Sequence, residues 1–263
     1  MLYSKMEERE LLQIIAENTD AKDSFYVVLT TKQTSKICSF SPPIIFRQRS
    51  NGEAKYEMAL VGLNTFYTFP NVDQTNNKIK LGRIGKPQVV ELSTGSYEVN
   101  QIQKEIHRKC GWKKDAPITF KANNSTLTCI MTIKDGYEVN FSQEACSGAS
   151  LGPVLGFDAK RYYKPARYES QSTVDILRVN SVLVYCDIIT GSRVDGVEAP
   201  LIYHFSPNVA PGIKIVKEPQ QPVYLPITVD VMSQMTVWLR DQDQRPIDLR
   251  GEKIVFNFHI RAR

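Results

Sequence analysis

The sequence predicts an all-β fold, a single β-sandwich that carries one inserted helix and a helical N-terminal extension. Residues 56–72 begin as an alternating strand, become continuously apolar and close on aromatic side chains and Pro70. β-Branched and aromatic residues recur in the same way at 182–189, 235–239 and 254–260. A chain whose hydrophobic residues are concentrated in repeated short strands forms a sandwich or a barrel rather than a nucleotide-binding α/β sheet.

The composition fits one all-β domain. The chain has 263 residues, of which 42% are hydrophobic, and this content is enough for a sizeable core. All-β sandwiches often reach about 250 residues as one unit. Twelve tyrosines and eleven phenylalanines favour strands. We therefore predict two parts, a helical extension over residues 1–24 and a single sandwich domain over residues 25–263.

The N-terminal extension has the pattern of a helix over residues 4–17. Ser4, with a glutamate three residues later, matches a capping box, and acidic residues in the first turn complement the helix dipole. Leu11, Ile14 and Ile15 share one face at helical spacing. Because this apolar stripe would be exposed in a soluble monomer, we predict that it contacts a partner.

A second helix is predicted over residues 97–109, inserted between strands. Ser96 is placed to cap it, and Val99, Ile102 and Ile106 lie on one face. Basic residues near its C-terminal end suit the dipole there, and a Cys-Gly pair ends it. The apolar face predicts that this helix packs against the sandwich.

The rest of the chain predicts short strands joined by turns. In chain order, strands are expected over 25–30, 44–48, 78–81, 88–92, 118–121, 127–133, 137–141, 201–205, 213–216, 223–229, 233–239 and 253–261. The Pro42-Pro43 pair places the second of them at a sheet edge. Residues 174–189 predict a strand pair or one bent strand, residues 191–196 a loop, and the Gly- and Pro-rich residues 150–157 a buried connection.

No residue pattern predicts a catalytic site, a cofactor or a metal. His107, His204 and His259 are isolated, and none has a second ligand at metal spacing. The five cysteines are scattered and odd in number, which indicates reduced thiols in a chain without a secretory signal. We expect that the protein is not an enzyme, although a Cys–His pair that meets only in the folded chain stays open.

Residues 241–252 resemble a calcium-binding loop only at their two ends. Asp241 and Glu252 occupy the first and twelfth positions, but Arg245 stands at the fifth and Pro246 at the sixth, where the loop needs glycine. We predict a polar loop between two strands and no bound ion.

The charge and hydropathy of the chain exclude further classes. The net charge is +5, with no long basic run, so the charge supports only weak contact with nucleic acid. The acidic N-terminus lacks the apolar region of a signal peptide, and no stretch approaches the roughly 18 apolar residues of a membrane span. We therefore expect an intracellular chain without a membrane segment.

The basic and aromatic residues 161–168 are the main candidate for contacts with other molecules. The segment contains Arg161, Tyr162, Tyr163, Lys164, Arg167 and Tyr168. This composition is found both on single-strand nucleic-acid surfaces and at protein interface rims, and we favour the interface. The segment is predicted to lie outside the core. Arg261 and Arg263 are further candidates.

The order of segments resembles one protein family. An aromatic strand at 25–29 is followed by 56–70, by Gly95-Ser96-Tyr97 opening a helix, by 150–157, by 183–189, by 224–226, and by closing strands at 235–239 and 253–261. This series resembles the penton-like minor capsid proteins of Maverick/Polinton elements and the related adintoviruses, over nearly the whole chain. Two features depart from that pattern: a Trp-Glu-Val strand opening reads Tyr56-Glu57-Met58 here, and the pattern has no helix before Phe25.

The resemblance implies a single jelly roll and a structural virion protein. It implies that five copies form a homopentamer at each vertex of an icosahedral capsid, beside the major capsid protein of the same element, after assembly in the host cytoplasm or nucleus. On this interpretation residues 161–168 contact a neighbouring subunit. Leu11, Ile14, Ile15, Arg261 and Arg263 contact the shell, with weak nucleic-acid contact inside it.

A lectin-like binding module is the alternative function. Lectins tend to expose tryptophan beside Asp or Asn at loop tips. Trp112 and Trp238 lie far apart in sequence, and Trp238 is predicted to pack in the core because it lies in the middle of a strand.

Overall fold

The computed structural model describes residues 24–46, 56–113, 115–176 and 178–263. Strands account for 49% and helices for 7% of the described residues, which confirms the all-β prediction. The chain divides into two compact units. The first unit contains the described residues up to Tyr67 and those from Val179, and the second unit is Thr68–Arg178. The predicted helix over 4–17, with Leu11, Ile14 and Ile15, lies outside the described residues.

The first unit is built from strands that precede and strands that follow the second unit in the sequence. Its strands before that insertion are β1 (Ser24–Thr31), β2 (Ser35–Ile45) and β3 (Tyr56–Phe66). The second unit contains β4 (Lys78–Arg83), β5 (Lys86–Glu91), α1 (Val99–Cys110), β6 (Ile118–Asn123), β7 (Thr128–Ile133), β8 (Tyr137–Asn140), α2 (Gly152–Leu155), β9 (Arg161–Tyr162) and β10 (Ala166–Glu169). The first unit then continues with β11 (Val182–Cys186), β12 (Ser192–Val194), β13 (Val197–Ala199), β14 (Leu201–Phe205), β15 (Lys214–Lys217), β16 (Leu225–Pro226), β17 (Val231–Asp241) and β18 (Ile254–Ala262).

Two antiparallel sheets make up most of the first unit. One has the strand order β1-β18-β3-β15, with β16 also beside β3, and the other has the order β14-β11-β17-β2. Eight of these strands pair in a nested way along the unit: β1 with β18, β2 with β17, β3 with β15, and β11 with β14. The unit therefore has the connectivity of one long hairpin that is folded over itself.

Alternating side chains explain why these strands form two layers. In β18 the apolar residues Ile254, Phe256, Phe258 and Ile260 are buried, and the residues between them are only partly so. β1 has the same period, because Val27 and Leu29 are buried while the residues beside them are not. Since one face of each strand is apolar, the two sheets bury these faces together as a core.

Three predicted segments differ from the structure. The predicted loop over 191–196 belongs to the hairpin of β12 and β13, whose turn residues Asp195 and Gly196 have φ values of 51° and 81°. An Asp-Gly pair is a strong hairpin signal because these residues tolerate the positive φ angles of the turn, and the sequence contains this pair. The strand predicted over 174–189 is limited to β11. β2 begins nine residues earlier than predicted and runs through Pro42 and Pro43, which is tolerated because β2 lies at a sheet edge.

The second unit has its own sheets and core. Its sheets have the strand orders β5-β4-β8-β9 and β10-β7-β6. Val99, Ile102 and Ile106 of α1 are fully buried in this core, so the predicted apolar face is confirmed. The prediction that Ser96 caps the helix is wrong, because Glu98 forms the capping box with Gln101. Ser96 Oγ instead donates a hydrogen bond to the carbonyl oxygen of Phe69.

The connection over 150–157 is buried, as its apolar sequence predicts, and contains the short helix α2. Gly156 follows α2 with a φ of 76°, which favours glycine. Residues 68–178 thus form a compact insertion between β3 and β11 in the chain. The narrower prediction, a single jelly roll over the whole of residues 25–263, stays a prediction.

Candidate interaction surface

The basic and aromatic residues 161–168 lie mostly at the surface of the second unit. Arg161, Tyr163, Lys164 and Arg167 are exposed, and Tyr168 is half-buried. The prediction that this segment lies outside the core is wrong for Tyr162, which is buried. Tyr162 pairs with Val139 across β9 and β8, and its ring packs edge-on against Phe141 and Phe157. The two-residue period of the strand places Tyr162 inward and its two neighbours outward.

Arg161 compensates a buried carboxylate within its own unit. Its Nε donates a hydrogen bond of 2.6 Å to Oε2 of Glu138, and Nη2 of Arg161 forms an ion pair with the same oxygen. The Glu138 side chain is only 5% exposed, while that of Arg161 is 50% exposed. The guanidinium also lies over the ring of Tyr163, 5.5 Å from its centre. Because a buried carboxylate needs a partner, Arg161 has a structural role whatever else it contacts.

We expect Arg161→Ala to lower the free energy of unfolding by about 1–3 kcal/mol, because Glu138 is left buried without its cation. The cost stays below that of a fully buried pair because water reaches the exposed guanidinium site. Urea denaturation measures the change. Arg167→Ala is the matched control, since Arg167 is exposed and its loss should change stability by less than about 0.5 kcal/mol. Equal free energies of unfolding for the two variants would show that the Arg161–Glu138 pair does not stabilise the fold.

Arg261 is likewise held within the first unit. Its Nε donates a hydrogen bond of 2.7 Å to Oε1 of Glu57, and its guanidinium lies 3.5 Å from the centre of the Tyr224 ring. Arg263 is exposed. Of the predicted contact cations, Arg161 and Arg261 thus already have intramolecular partners, whereas Lys164 and Arg167 are exposed at the surface of the second unit.

His107 and His259 make hydrogen bonds to oxygen atoms. His107 Nε2 lies 2.8 Å from the carbonyl oxygen of Ile118. His259 bridges two hydroxyl groups, with Nε2 2.6 Å from Ser24 Oγ and Nδ1 2.7 Å from Tyr224 Oη. Among the described residues, no group of three or more His, Cys, Asp or Glu side chains is placed to hold a metal ion.

All five cysteines are free thiols. Burial raises the pKa of the Cys129 and Cys186 thiols to about 12. These two groups therefore stay protonated at neutral pH and are poor nucleophiles.

Arg245 pairs with the carboxylates of the loop that follows Asp241. Asp241 is buried, and its Oδ1 accepts hydrogen bonds from the backbone N–H groups of Asp243 and Arg245. Arg245 Nε donates to Asp241 Oδ2 at 2.7 Å, and Nη2 forms an ion pair with Asp243 Oδ2 at 2.6 Å. The guanidinium supplies the positive charge that these carboxylates need, and the loop is polar, as predicted.

Trp238 lies on the outer face of its sheet. Its strand neighbours Val237 and Leu239 are buried, so Trp238 points to the opposite side and is half-buried there. Its ring stacks on Tyr185 with a centre-to-centre distance of 5.4 Å and an angle of 7°. The prediction that Trp238 packs in the core is wrong, because alternation in β17 assigns that face to its neighbours.

The first unit contains a cavity that the sequence did not reveal. Its volume is about 230 Å³. Leu60 of β3, four residues of β14, and Val223 and Leu225 around the start of β16 contribute to its wall. Most of the wall is apolar, and Tyr203 and His204 add polar groups. These residues are far apart in sequence, so only the pairing of strands brings them together.

Comparisons with known proteins give a limited likeness. No known family and no curated protein matches the chain in sequence. Among solved structures, the crystal structure of the mavirus penton protein is similar to this chain. It is 9% identical, with a TM-score of 0.46, and the match covers 91% of this chain and 100% of that protein. The D2–D3 domains of the flagellar cap protein FliD from Escherichia coli match with 11% identity and a TM-score of 0.24, over 83% of this chain and 99% of theirs.

At these TM-scores neither likeness supports a function, so we infer the function from the chain's own residues. In the part of the chain that the structure describes, no helix has the length and apolar character needed to cross a membrane.

Proposed function

We propose that this chain is a structural capsid protein, the penton subunit of an icosahedral shell. The observation that carries the proposal is the nested pairing of eight strands in the first unit. A long hairpin folded over itself gives two four-stranded antiparallel sheets with Greek-key connections, which is the architecture of a jelly roll. Viral capsid proteins and lectins are both built on this architecture. On this proposal the jelly roll is the first unit, and residues 68–178 are an insertion between its third and fourth strands.

The series of segments along the chain favours the capsid class. That series resembles penton-like minor capsid proteins of Maverick/Polinton elements and adintoviruses from β1 to β18. The proposal includes a homopentamer, contact with the major capsid protein of the same element, a place in the virion, and weak nucleic-acid contact inside the shell. Copies related by five-fold symmetry meet through two different surfaces, so exposed residues such as Lys164 and Arg167 are candidates for one of them.

The proposal also includes the absence of catalytic activity. The hydrogen bonds of His107 and His259 to hydroxyl and carbonyl oxygens support this part, as does the burial of Cys129 and Cys186. Alanine at His107 or His204 should leave assembly intact. Loss of function in such a variant without loss of folding would reopen the question of an enzyme.

A lectin-like module is the second candidate, and one observation favours it. The Tyr185–Trp238 stack lies on the outer face of a sheet, where Trp238 is half-buried. Aromatic rings at a surface offer an apolar face to which a sugar ring can bind. Binding of glycans that disappears in Trp238→Ala, by a chain that does not assemble, would establish this alternative.

The deciding experiment measures the mass of the purified full-length chain and its incorporation into particles. We expect native mass spectrometry and sedimentation velocity to show a pentamer at high protein concentration. We also expect the chain to join shells when it is co-expressed with the major capsid protein of the same element. A strict monomer that also fails to join such shells would exclude the capsid function, and a stable dimer would favour the lectin-like module.

A further inference from the structure

The net positive charge of the chain belongs to the second unit. Of the 33 Lys and Arg residues, 16 lie in residues 68–178, and of the 28 Asp and Glu residues, 11 do, which gives this unit a net charge of +5. The first unit has 17 residues of each sign and is neutral. Because the potential at a protein surface follows its charges, an anionic ligand is attracted to the second unit rather than to the first.

Two cations lie directly opposite each other at the end of a hairpin in this unit. Arg83 of β4 pairs with Lys86 of β5 across the turn of Ile84 and Gly85, and both side chains are exposed. Like charges at opposite positions destabilise a strand pair. Among the described residues, no carboxylate forms an ion pair with either cation, although other cations of the unit have such partners. An anion bound here would offset the repulsion.

Two aromatic rings lie beside these cations. Tyr137 of β8 is the register partner of Arg83 on the other side of β4, and the Arg83 guanidinium lies 5.9 Å from the centre of its ring. The ring of Trp112 packs edge-on against Tyr137, with 6.3 Å between the ring centres. Both rings are half-buried, and Lys113 is exposed next to Trp112. We call Arg83, Lys86, Trp112, Lys113 and Tyr137 the basic–aromatic patch.

Backbone hydrogen bonds hold the patch in place. The N–H of Ile84 donates to the carbonyl oxygen of Gly136 at 3.0 Å, which ties the turn between β4 and β5 to the turn before β8. The N–H of Trp112 donates to the carbonyl oxygen of His107 at 2.9 Å. Asp135 is the acidic residue of these two turns, and it is exposed without an ion pair to the patch. The patch is therefore pre-organised and keeps a net positive charge.

Single-stranded nucleic acid is the ligand that uses both parts of this patch. Its phosphates can contact Arg and Lys side chains, and its unpaired bases can stack on aromatic rings. In a duplex the bases already stack on one another, so their faces cannot reach a ring at a protein surface. An acidic peptide would use the cations but not the rings.

We propose that the basic–aromatic patch binds single-stranded nucleic acid, with phosphates at Arg83 and Lys86 and a base against the rings. The inference rests on the nucleic-acid contact in the proposed function and assigns that contact to particular residues. Three cations give weak binding that depends on salt. The dissociation constant should be about 1–100 μM, and the slope of log affinity against log salt about −2.

Tryptophan fluorescence reports directly on this site. The chain has 2 tryptophans, and Trp238 lies in the first unit. In the full-length variant Trp238→Phe, which keeps a ring on Tyr185, all tryptophan emission therefore comes from Trp112. Oligothymidylate of about 20 nucleotides, longer than the usual site size for a single strand, should quench this emission in a saturable way. An unchanged emission, or quenching without salt dependence, would overturn the proposal.

A charge reversal tests the two opposed cations. In the Trp238→Phe background, Arg83→Glu combined with Lys86→Glu should raise the dissociation constant by about tenfold or more. Arg83→Gln with Lys86→Gln removes the charges without adding new ones and should give a smaller loss. Lys104→Glu with Lys121→Glu is the matched control, because it changes the net charge equally at exposed positions outside the patch. Equal losses in the patch and control variants would mean diffuse attraction to the unit and would overturn the proposal.

Two further measurements separate this inference from its alternatives. Polyglutamate of similar charge should quench Trp112 less than the oligonucleotide does at the same salt concentration. If it quenches as strongly, the patch binds acidic protein and not nucleic acid. The variant with Arg83→Glu and Lys86→Glu should still form the pentamer in native mass spectrometry. Absence of oligonucleotide binding would thus remove this site while leaving the capsid function to the experiment on assembly.

Discussion

Replacing Ile102 with aspartate is expected to lower the free energy of unfolding of residues 68–178 by more than about 4 kcal/mol. Ile102 of α1 is fully buried, and it lies between Val99 and Ile106 on the same face. The side chain of aspartate would place a carboxylate in an apolar core with no cation beside it. The variant should therefore lose the cooperative unfolding transition of this unit, as measured by circular dichroism in urea.

Lys104→Asp is the control for this variant. Lys104 lies on the exposed face of α1, so the same side chain is introduced into the same helix without burial. Its effect should stay within about 0.5–1 kcal/mol. If Ile102→Asp melts like Lys104→Asp, then α1 does not pack against the core as described.

Gly156→Ala is expected to cost about 2–4 kcal/mol, because two separate effects add. A Cβ atom at Gly156 would lie 2.2 Å from the carbonyl oxygen of Ser172, and the φ of 76° already disfavours any side chain. Ser172 cannot easily move away, since its backbone N–H donates a 3.0 Å hydrogen bond to the carbonyl oxygen of Gly156. The clash is therefore with backbone that the same turn holds in place.

Gly148→Ala separates the two effects. Gly148 has a φ of 78°, and nothing lies within 4 Å of the position that its Cβ would occupy. This variant should show only the cost of placing a side chain at a positive φ, about 1 kcal/mol. The difference between the two melting curves then measures the clash with Ser172, and two equal curves would contradict the close approach at Gly156.

Local features were predictable from the sequence, because they depend on neighbours along the chain. The apolar face of α1 follows from the spacing of Val99, Ile102 and Ile106, and the strands β1, β17 and β18 follow from alternation. The turn at Asp195-Gly196 also carried a local signal, but the three-residue strands beside it are too short to show a period.

Features that depend on strand pairing were not predictable. Tyr162 is buried and Arg161 is paired with Glu138 because β9 lies beside β8, and no local pattern specifies that neighbour. Leu60 and Leu225 line the same cavity because strand pairing brings them together, and no local pattern specifies that pairing either. The division into two units was also hidden, since the chain has no linker or change of composition near Tyr67 or Val179.

The nested pairing of the first unit has a consequence for biosynthesis. β18 lies between β1 and β3 in the sheet, yet it follows them by about 190 residues or more in the chain, so a ribosome working at roughly 5–20 residues per second completes it about ten seconds or more later. Residues 68–178 emerge whole well before that and have the local contacts to fold first. During the interval, β1 and β3 lack the strand that joins them and expose edges prone to aggregation. We therefore expect nascent chains to recruit chaperones at this stage, and slower translation of residues 179–253 to lengthen the vulnerable period.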